Sequence, residues 1–271
     1  MKLAYYIKSA SLREDARVAS LLERLASGGH SLHSVHNAAE LEAGTDMLLS
    51  IGGDGTFLSA ADIAVRSRIP VLGVNMGRLG FLSEYTPEEV VAALAAGEFN
   101  MENRRMLEAE CDRLAAGPTL ALNEVSVSRL GAAMLGVDVT IDGKPLPTYW
   151  ADGLLVATSS GSTAYSLSVG GPICTPDARV VIIAPIAPHN LNVRPLVVPD
   201  SAVVELSLRS RDSEVRMTVD NRTFTVPAES RISVRPAEFC LSRVSLGRSS
   251  FMDALSGRLL WGQDVRNHNE R

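Results

Sequence analysis

The chain has 271 residues, of which 46% are hydrophobic and 21% are charged, and its formal net charge at pH 7 is −5. These values fit a soluble globular protein with one large or two modest domains, and the negative charge argues against a nucleic-acid partner. No apolar run approaches the roughly 18 residues of a membrane span and the first residues turn polar too early for a signal peptide, so we expect a cytoplasmic protein without a membrane partner.

The first hundred residues alternate short apolar runs with helical patterns. Strands are predicted at 3–7, 46–51 and 69–75, with amphipathic segments between them. The next helix is delimited by Thr86 and Glu89 in a capping box, by Pro87 at the first helical position and by Gly97 after its end. This order predicts a doubly wound α/β domain with a parallel sheet over residues 1–100.

After residue 100 the pattern changes to short segments in which apolar and polar residues alternate. The dipeptides Asp142-Gly143 and Asp220-Asn221 lie between such segments and indicate hairpin turns. We therefore predict a β-rich, sandwich-like domain of mostly antiparallel strands over residues 101–250. The last segment, 251–271, has a helical pattern and is predicted to pack back on the amino-terminal domain.

One carboxylate lies among three glycines in the stretch "SIGGDGTF", directly after a predicted buried strand. Gly52, Gly53 and Gly55 could form a plain turn around Asp54, since glycine and aspartate are turn residues. They could equally leave room for a phosphate, which the backbone N–H groups and the N-terminus of the following helix would bind. In open α/β sheets ligands bind beyond the carboxyl ends of the strands, where Asp54 falls.

A second stretch, residues 152–172, joins an apolar strand to a loop that is rich in hydroxyl groups and ends in Ala164 and Tyr165. A flexible linker is the alternative, but small donors beside one aromatic ring suit a ribose or an adenine. A third feature is the pair Asn123 and Glu124 before an alternating segment. These two residues fit a polar ligand or a turn equally well.

Together the motifs resemble the NAD kinases, which phosphorylate the adenosine-ribose 2′-hydroxyl of NAD. The resemblance lies in "GGDGT" (52–56), "LNE" (122–124), the stretch 152–173, "APHNLNVRPLVVP" (187–199) and the closing "LSGRLLWG". The first of these motifs also occurs in lipid kinases and phosphofructokinases, whereas the Ser/Thr-rich stretch is specific to NAD kinases. The resemblance implies a bacterial-type enzyme that uses ATP or polyphosphate to make NADP.

The resemblance also implies a set of site residues. Asp54 corresponds to the catalytic aspartate, the general base that takes or orients the proton of the ribose hydroxyl, and Gly52, Gly53 and Gly55 form the phosphate loop. The implied positions of the substrate and nucleotide site are Asp54, Gly55, Asn123, Glu124, Asp152, Ser160, Thr163, Ala164, Tyr165, Ser166, Leu167, Ser168 and Ala187.

No metal ligand from the protein is assigned. A divalent ion, Mg²⁺ by expectation, would bind through the phosphoryl donor, and a homodimer or homotetramer is implied. One departure is visible, because the family often has Asp-Gly-Gln where this chain has Asp220, Asn221 and Arg222.

Two alternatives remain open from the sequence. A lipid or sphingoid-base kinase would share the glycine-aspartate loop, and a non-catalytic dinucleotide sensor would share the fold. His30, His33 and His36 recur every third residue, but this spacing distributes the rings around a helix or on both faces of a strand, so we do not predict a metal site there.

Overall fold

The computed structural model describes residues 1–77, 80–115, 117–247 and 251–259. The chain divides into two compact units, one formed by Met1–Glu102 with the segment from Ser242 onwards and the other by Asn103–Leu241. The domain boundaries at residues 100 and 250 stay a prediction. Of the closing segment, Phe251–Leu259 is a helix, and residues 260–271, which include part of "LSGRLLWG", lie outside the described residues.

The first unit is built on a six-stranded sheet in the order β2-β1-β3-β4-β18-β5. Its strands are β1 (Lys2–Tyr6), β2 (Ser31–Ser34), β3 (Met47–Gly52), β4 (Val71–Asn75), β5 (Asn100–Arg104) and, from the far end of the chain, β18 (Leu241–Ser245). The pairs β1 with β2, β1 with β3, β3 with β4, and β4 with β18 are parallel. Because the chain leaves β1 toward β2 and leaves β3 toward β4, the topological switch point falls between β1 and β3.

Helices α2, α3 and α4 cover both faces of this sheet. The helices of the first unit are α1 (Ala10–Arg13), α2 (Ala16–Ser27), α3 (Asp54–Ala64), α4 (Pro87–Ala96) and α6 (Phe251–Leu259), with short 3₁₀ turns at Ala38–Glu40 and Val65–Ser67. Apolar side chains of α2 and α4 share one core cluster with Leu72 and Val74 of β4. Phe57 of α3 packs against Gly73 of β4. Because successive residues of a strand point to opposite faces, Gly73 lies on the face of the sheet opposite to Leu72 and Val74. The predicted doubly wound α/β architecture is confirmed.

The predicted helix signals are also present in atomic detail. Thr86 accepts a hydrogen bond from the Glu89 N–H, and the Glu89 carboxylate accepts one from the Thr86 N–H, so the capping box is complete. Gly97 ends the helix at φ 68°, the left-handed conformation that glycine adopts without a steric cost.

The second unit contains a twelve-stranded sheet in the main order β16-β15-β8-β11-β9-β14-β17-β6-β7. Its strands are β6 (Leu107–Cys111), β7 (Thr119–Ala121), β8 (Glu124–Arg129), β9 (Leu135–Ile141), β10 (Lys144–Pro145), β11 (Tyr149–Thr158), β12 (Val180–Pro188), β13 (Leu196–Pro199), β14 (Val204–Arg209), β15 (Glu214–Val219), β16 (Arg222–Pro227) and β17 (Arg231–Pro236). The strand pairs are antiparallel, and both predicted hairpin turns connect paired strands.

The sheet of the second unit curls until its ends meet. Strand β7 contacts β15, and β6 contacts β8, although these strands lie far apart in the sheet order. Inward-facing residues such as Val127, Val137, Leu154 and Met217 are fully buried in one apolar cluster. This confirms the β-rich, sandwich-like domain, whose inner face holds the apolar half of each alternating strand.

No helix within the described ranges combines the length and the apolar character needed to cross a bilayer.

Candidate active site

Asp54 is the first residue of α3 and is separated by one residue, Gly53, from the buried strand β3. Gly53 is the N-cap of this helix. Gly52 adopts φ 156°, and a β-carbon there would lie 2.4 Å from Oγ1 of Thr56. Gly53 and Gly55 face open space. The loop therefore places a carboxylate at a helix N-terminus beside the switch point, with room for a large anion in front of it.

The carboxylate of Asp54 is held by the loop that follows β4. Oδ2 accepts the backbone N–H of Phe81 at 2.8 Å, and Oδ1 accepts those of Leu82 at 3.0 Å and Ser83 at 2.9 Å. Asn75, the last residue of β4, donates from Nδ2 to the Ser83 carbonyl at 3.1 Å. The Asp54 side chain is thus fixed in position while it stays partly exposed to solvent.

A cavity of about 290 Å³ lies at the carboxyl end of β4 in the same unit. Its lining combines the end of the strand, the N-terminus of α4 and a residue of α2, and consists of Arg17, Asn75, Met76, Gly77, Thr86, Pro87 and Glu88. Through the bond from Asn75 to Ser83, this cavity and the loop that holds Asp54 share one hydrogen-bonded framework.

In the second unit, Asn123 and Glu124 lie where β8 begins, and both side chains are buried, with exposed fractions of 7% and 9%. Oδ1 of Asn123 and Oε2 of Glu124 have no hydrogen-bond partner among the described residues. Buried polar atoms are rarely left unpaired unless a water or a ligand binds them. These two oxygens are therefore the strongest structural sign of a ligand site in this unit.

Burial, together with the nearby charge of Asp220, raises the pKa of Glu124 to about 8, although a hydrogen bond from the Tyr165 backbone lowers it in part. Glu124 is therefore largely protonated at neutral pH and can donate as well as accept a hydrogen bond. The bond from Tyr165 also shows that the structure brings the pair Asn123–Glu124 to the hydroxyl-rich segment that was predicted separately.

The hydroxyl-rich segment is a compact turn and not a linker. It forms a 3₁₀ turn, Ser160–Thr163, followed by the four-residue helix α5, Tyr165–Ser168, with Ala164 between them. Tyr165 is 42% exposed. Ser160 and Ser166 have buried hydroxyl oxygens without a partner among the described residues. The segment thus presents one aromatic face beside polar groups, as a nucleoside requires.

The other predicted positions of this segment differ in exposure. Ser166 is fully buried, and a β-carbon on Gly171 would lie 2.2 Å from its Oγ. Leu167 is half-buried and Ser168 is exposed, whereas Thr163 is half-buried, with its hydroxyl near the Ser160 carbonyl at 3.5 Å. The structure therefore presents Ser168 outward and Ser166 inward.

Asp152 and Ala187 lie on neighbouring strands, β11 and β12, between the paired positions Ala151–Pro188 and Gly153–Ile186. Ala187 is exposed and adopts φ 46°, which is unusual for a residue with a β-carbon and marks local strain in the strand. Asp152 forms an ion pair with Arg129 at 2.7 Å. These two positions are thus adjacent, although 35 residues separate them in the sequence.

Three groups that shape these sites were not predicted as site residues from the sequence. They are the N–H donors of Phe81–Ser83, the side chain of Thr158 and the carboxylate of Asp220. Arg222, which replaces a glutamine of the family pattern, donates from Nη2 to the Leu120 carbonyl. Within the described ranges no group of three or more His, Cys, Asp or Glu side chains is arranged to hold a metal ion.

The doubly wound unit with its carboxylate at a glycine-rich helix N-terminus, joined to a β-rich unit, is the architecture of a phosphotransferase. Family models match both parts of the chain: the ATP-NAD kinase N-terminal domain matches residues 12–98, and the ATP-NAD kinase C-terminal domain matches residues 122–246. The chain belongs to the NAD kinase family.

Relatives and solved structures agree with this assignment. An NAD kinase of Porphyromonas gingivalis is 44% identical over 225 residues, covering 82% of this chain and 78% of the relative. An NAD kinase of Flavobacterium psychrophilum is 38% identical over 235 residues, covering 84% and 80%. The structure resembles that of an NAD kinase from Archaeoglobus fulgidus in complex with ATP, with a TM-score of 0.75, 28% identity and coverage of 91% and 94%.

The fold also matches that of yeast NADH kinase complexed with NADH. The TM-score is 0.87, and the match covers 98% of this chain and 89% of the yeast chain. The sequence identity is 22%, so this likeness shows the shared fold alone.

Proposed function

We infer that this protein is an NAD kinase that transfers the terminal phosphoryl group of ATP to the 2′-hydroxyl of the adenosine ribose of NAD, giving NADP and ADP. The observation that carries the inference is Asp54, a partly exposed carboxylate fixed by three backbone N–H groups at the end of β3. Family membership supports NAD as the acceptor, and the relative solved with ATP supports ATP as the donor.

The reaction forms a bond between the ribose oxygen and the terminal phosphorus and breaks the bond from that phosphorus to the bridging oxygen of the donor. The proton of the ribose hydroxyl must leave, and Asp54 is the base to which we assign it. Because three N–H groups hold the Asp54 carboxylate in place, it does not need to reorient before it accepts this proton. Asp54 therefore also helps to position the ribose hydroxyl for attack.

The glycines of the loop serve the donor. Because Gly53 and Gly55 place no side-chain atoms in the space in front of the N-terminus of α3, the donor phosphates can approach the positive end of the helix dipole. Mg²⁺ carried by the donor would neutralise phosphate charge, and oxygen ligands from phosphates with few protein ligands suit this ion. Inorganic polyphosphate presents the same terminal group and is a second candidate donor.

The acceptor is assigned to the second unit. The unpaired oxygens of Asn123 and Glu124 suit ribose hydroxyls, and the exposed ring of Tyr165 supplies a face for a base. Asp152, Ser160, Thr163, Ala164, Ser168 and Ala187 would complete this lining, with Ser166 and Leu167 supporting it from within. A cytoplasmic homodimer or homotetramer stays part of the proposal, on the family resemblance alone.

A coupled assay for NADP tests the proposed function. The purified chain is incubated with Mg²⁺ and with each combination of NAD or NADH as acceptor and ATP or inorganic polyphosphate as donor. NADP formation from NAD and ATP is the expected result. If no combination yields a phosphorylated product, the proposed NAD kinase reaction is contradicted. Binding of NAD measured by calorimetry without turnover would then favour a non-catalytic dinucleotide sensor. Phosphorylation of a sphingoid base would favour a lipid kinase.

A further inference from the structure

Asp220 occupies the turn between β15 and β16 and reaches back to residues about a hundred positions earlier. Its Oδ2 accepts the Leu122 N–H at 2.8 Å, and its Oδ1 accepts the N–H groups of Asn123 at 2.8 Å and Glu124 at 3.1 Å. The N–H of Asp220 donates to the Glu124 carbonyl at 2.9 Å. One aspartate therefore bonds three consecutive N–H groups and one carbonyl of the segment 122–124.

Thr158, the last residue of β11, bonds the same segment from another side. Its Oγ1 donates to the Leu122 carbonyl at 2.6 Å, and its N–H donates to the Asn123 carbonyl at 2.8 Å. Between them, Asp220 and Thr158 thus engage every backbone N–H and C=O of residues 122–124. A different conformation of this segment would break these hydrogen bonds, so they hold the backbone of residues 122–124 in one conformation.

Two of the side chains on this braced backbone each carry one buried oxygen without a hydrogen-bond partner. Oδ1 of Asn123 and Oε2 of Glu124 are buried and accept no hydrogen bond from any described residue. A segment that could rearrange would turn such groups toward water or toward a neighbouring donor, because leaving them unpaired is unfavourable. The brace is what keeps both oxygens available to a ligand.

We infer that Asp220 is a positioning residue of the acceptor site, which fixes the segment 122–124 so that Asn123 and Glu124 bind NAD. The inference rests on the proposed function for the identity of the ligand. Asp220 touches neither substrate in this account, and it acts through the backbone it holds.

Asp220 has an electrostatic effect that a purely structural residue would not have. Burial raises the pKa of Asp220, whereas its three N–H donors and the guanidinium of Arg222 lower it. Glu124 receives one such bond, from the Tyr165 N–H, and its pKa is raised by burial and by the charge of Asp220. The pKa of both carboxyl groups is raised overall, and burial is the largest cause for each. Removing the charge of Asp220 must lower the pKa of Glu124.

The test compares Asp220→Asn with Asp142→Asn in the full-length protein. Asp142 is a matched control, since it also lies in a hairpin turn at a positive φ, 49° against 52°, and its Oδ1 accepts the Val203 N–H. Asparagine tolerates this conformation. In Asp220→Asn an amide NH₂ replaces one of the accepting oxygens, so the brace weakens while the side-chain volume is kept.

For Asp220→Asn we expect the Kd and KM for NAD to rise about tenfold while the KM for ATP stays within about twofold of wild type. In a plot of the Kd for NAD against pH, the midpoint of the change should also move to a lower pH in Asp220→Asn. Asp142→Asn should change neither the binding and Michaelis constants nor this midpoint. Unchanged NAD affinity, or a loss of affinity with the wild-type pH profile, would overturn the inference.

If Asp220→Asn does not fold, as judged by its thermal midpoint, Thr158 provides the decisive comparison. Thr158→Val removes the hydroxyl that donates to the Leu122 carbonyl and accepts the Gly161 N–H at 3.0 Å, and it should weaken NAD binding about tenfold. Thr158→Ser keeps both hydrogen bonds and should stay near wild type. Equal affinities of the two variants would contradict the brace. Calorimetry measures NAD binding without catalysis. If the wild type forms no NADP, the proposed reaction is rejected, but the comparison of NAD affinities between the two Thr158 variants stays valid.

Discussion

Gly80 lies directly against Asp54: a β-carbon on Gly80 would be 1.9 Å from Oδ1 of the aspartate and 2.4 Å from its Cγ. No side chain larger than hydrogen fits at that distance, so either the loop or the carboxylate would have to move. The next three residues of the loop donate their N–H groups to the same carboxylate. Gly80 is therefore the residue that allows the loop to close on Asp54.

Gly80→Ala is expected to lower kcat for NADP formation by about a hundredfold, since displacement of a catalytic group by about 1 Å can cost that much. The Kd for NAD should stay within about threefold of wild type. Steady-state kinetics and calorimetry measure the two effects. Gly257→Ala is the control, because a β-carbon there meets open space within α6, and kcat should not change. A Gly80→Ala enzyme with wild-type kcat would contradict the position assigned to Asp54.

Tyr165→Ala should raise the KM for NAD about tenfold, because the exposed ring offers a stacking face that alanine lacks. The KM for ATP should be little affected. Tyr165→Phe keeps the ring and should stay near wild type in both constants. A KM effect confined to ATP would mean that the donor and the acceptor are assigned to the wrong sets of residues.

Glu124→Gln should make the protein more stable than wild type at alkaline pH and equally stable in acid. The pKa of Glu124 is raised from 4.5 to about 8 in the folded protein by burial and by Asp220. The favourable contribution of the neutral acid is fully present below pH 4.5 and is lost as the pH rises through 8. Glutamine keeps the neutral form at every pH.

The difference in unfolding free energy between Glu124→Gln and wild type should therefore grow between pH 4.5 and 8 to the order of a few kcal/mol and stay constant above that range. Urea unfolding at a series of pH values measures it. A difference that is independent of pH would show that Glu124 is ionised in the folded protein at neutral pH.

The local features of the fold could be predicted from the sequence because their causes are local. The capping box at Thr86, the turn at Asp142-Gly143 and the buried strand before Gly52 each depend on a few neighbouring residues, and all three are present. The contacts that shape the two sites could not be predicted in this way. Asp54 bonds residues 27 to 29 positions later, and Asp220 bonds residues 96 to 98 positions earlier. Sequence periodicity carries no signal for such pairs.

Asp220 illustrates the difference. In the sequence it is half of a turn dipeptide between two alternating segments, and this prediction is confirmed by the hairpin of β15 and β16. The hydrogen bonds of its carboxylate depend on the pairing of β15 with β8, which brings the turn to the start of β8. Strand order in a curled sheet is set by packing of the whole unit, so the second role of Asp220 is visible only in the structure.

The most direct test of the central claim is Asp54→Asn, compared with Asp62→Asn on the exposed side of the same helix. Loss of the base should lower kcat for NADP formation about a thousandfold, within the range of general acid–base catalysis, while calorimetry finds the Kd for NAD within about threefold of wild type. Asp62→Asn should retain wild-type kcat. An Asp54→Asn enzyme that forms NADP at a rate close to wild type would contradict the account.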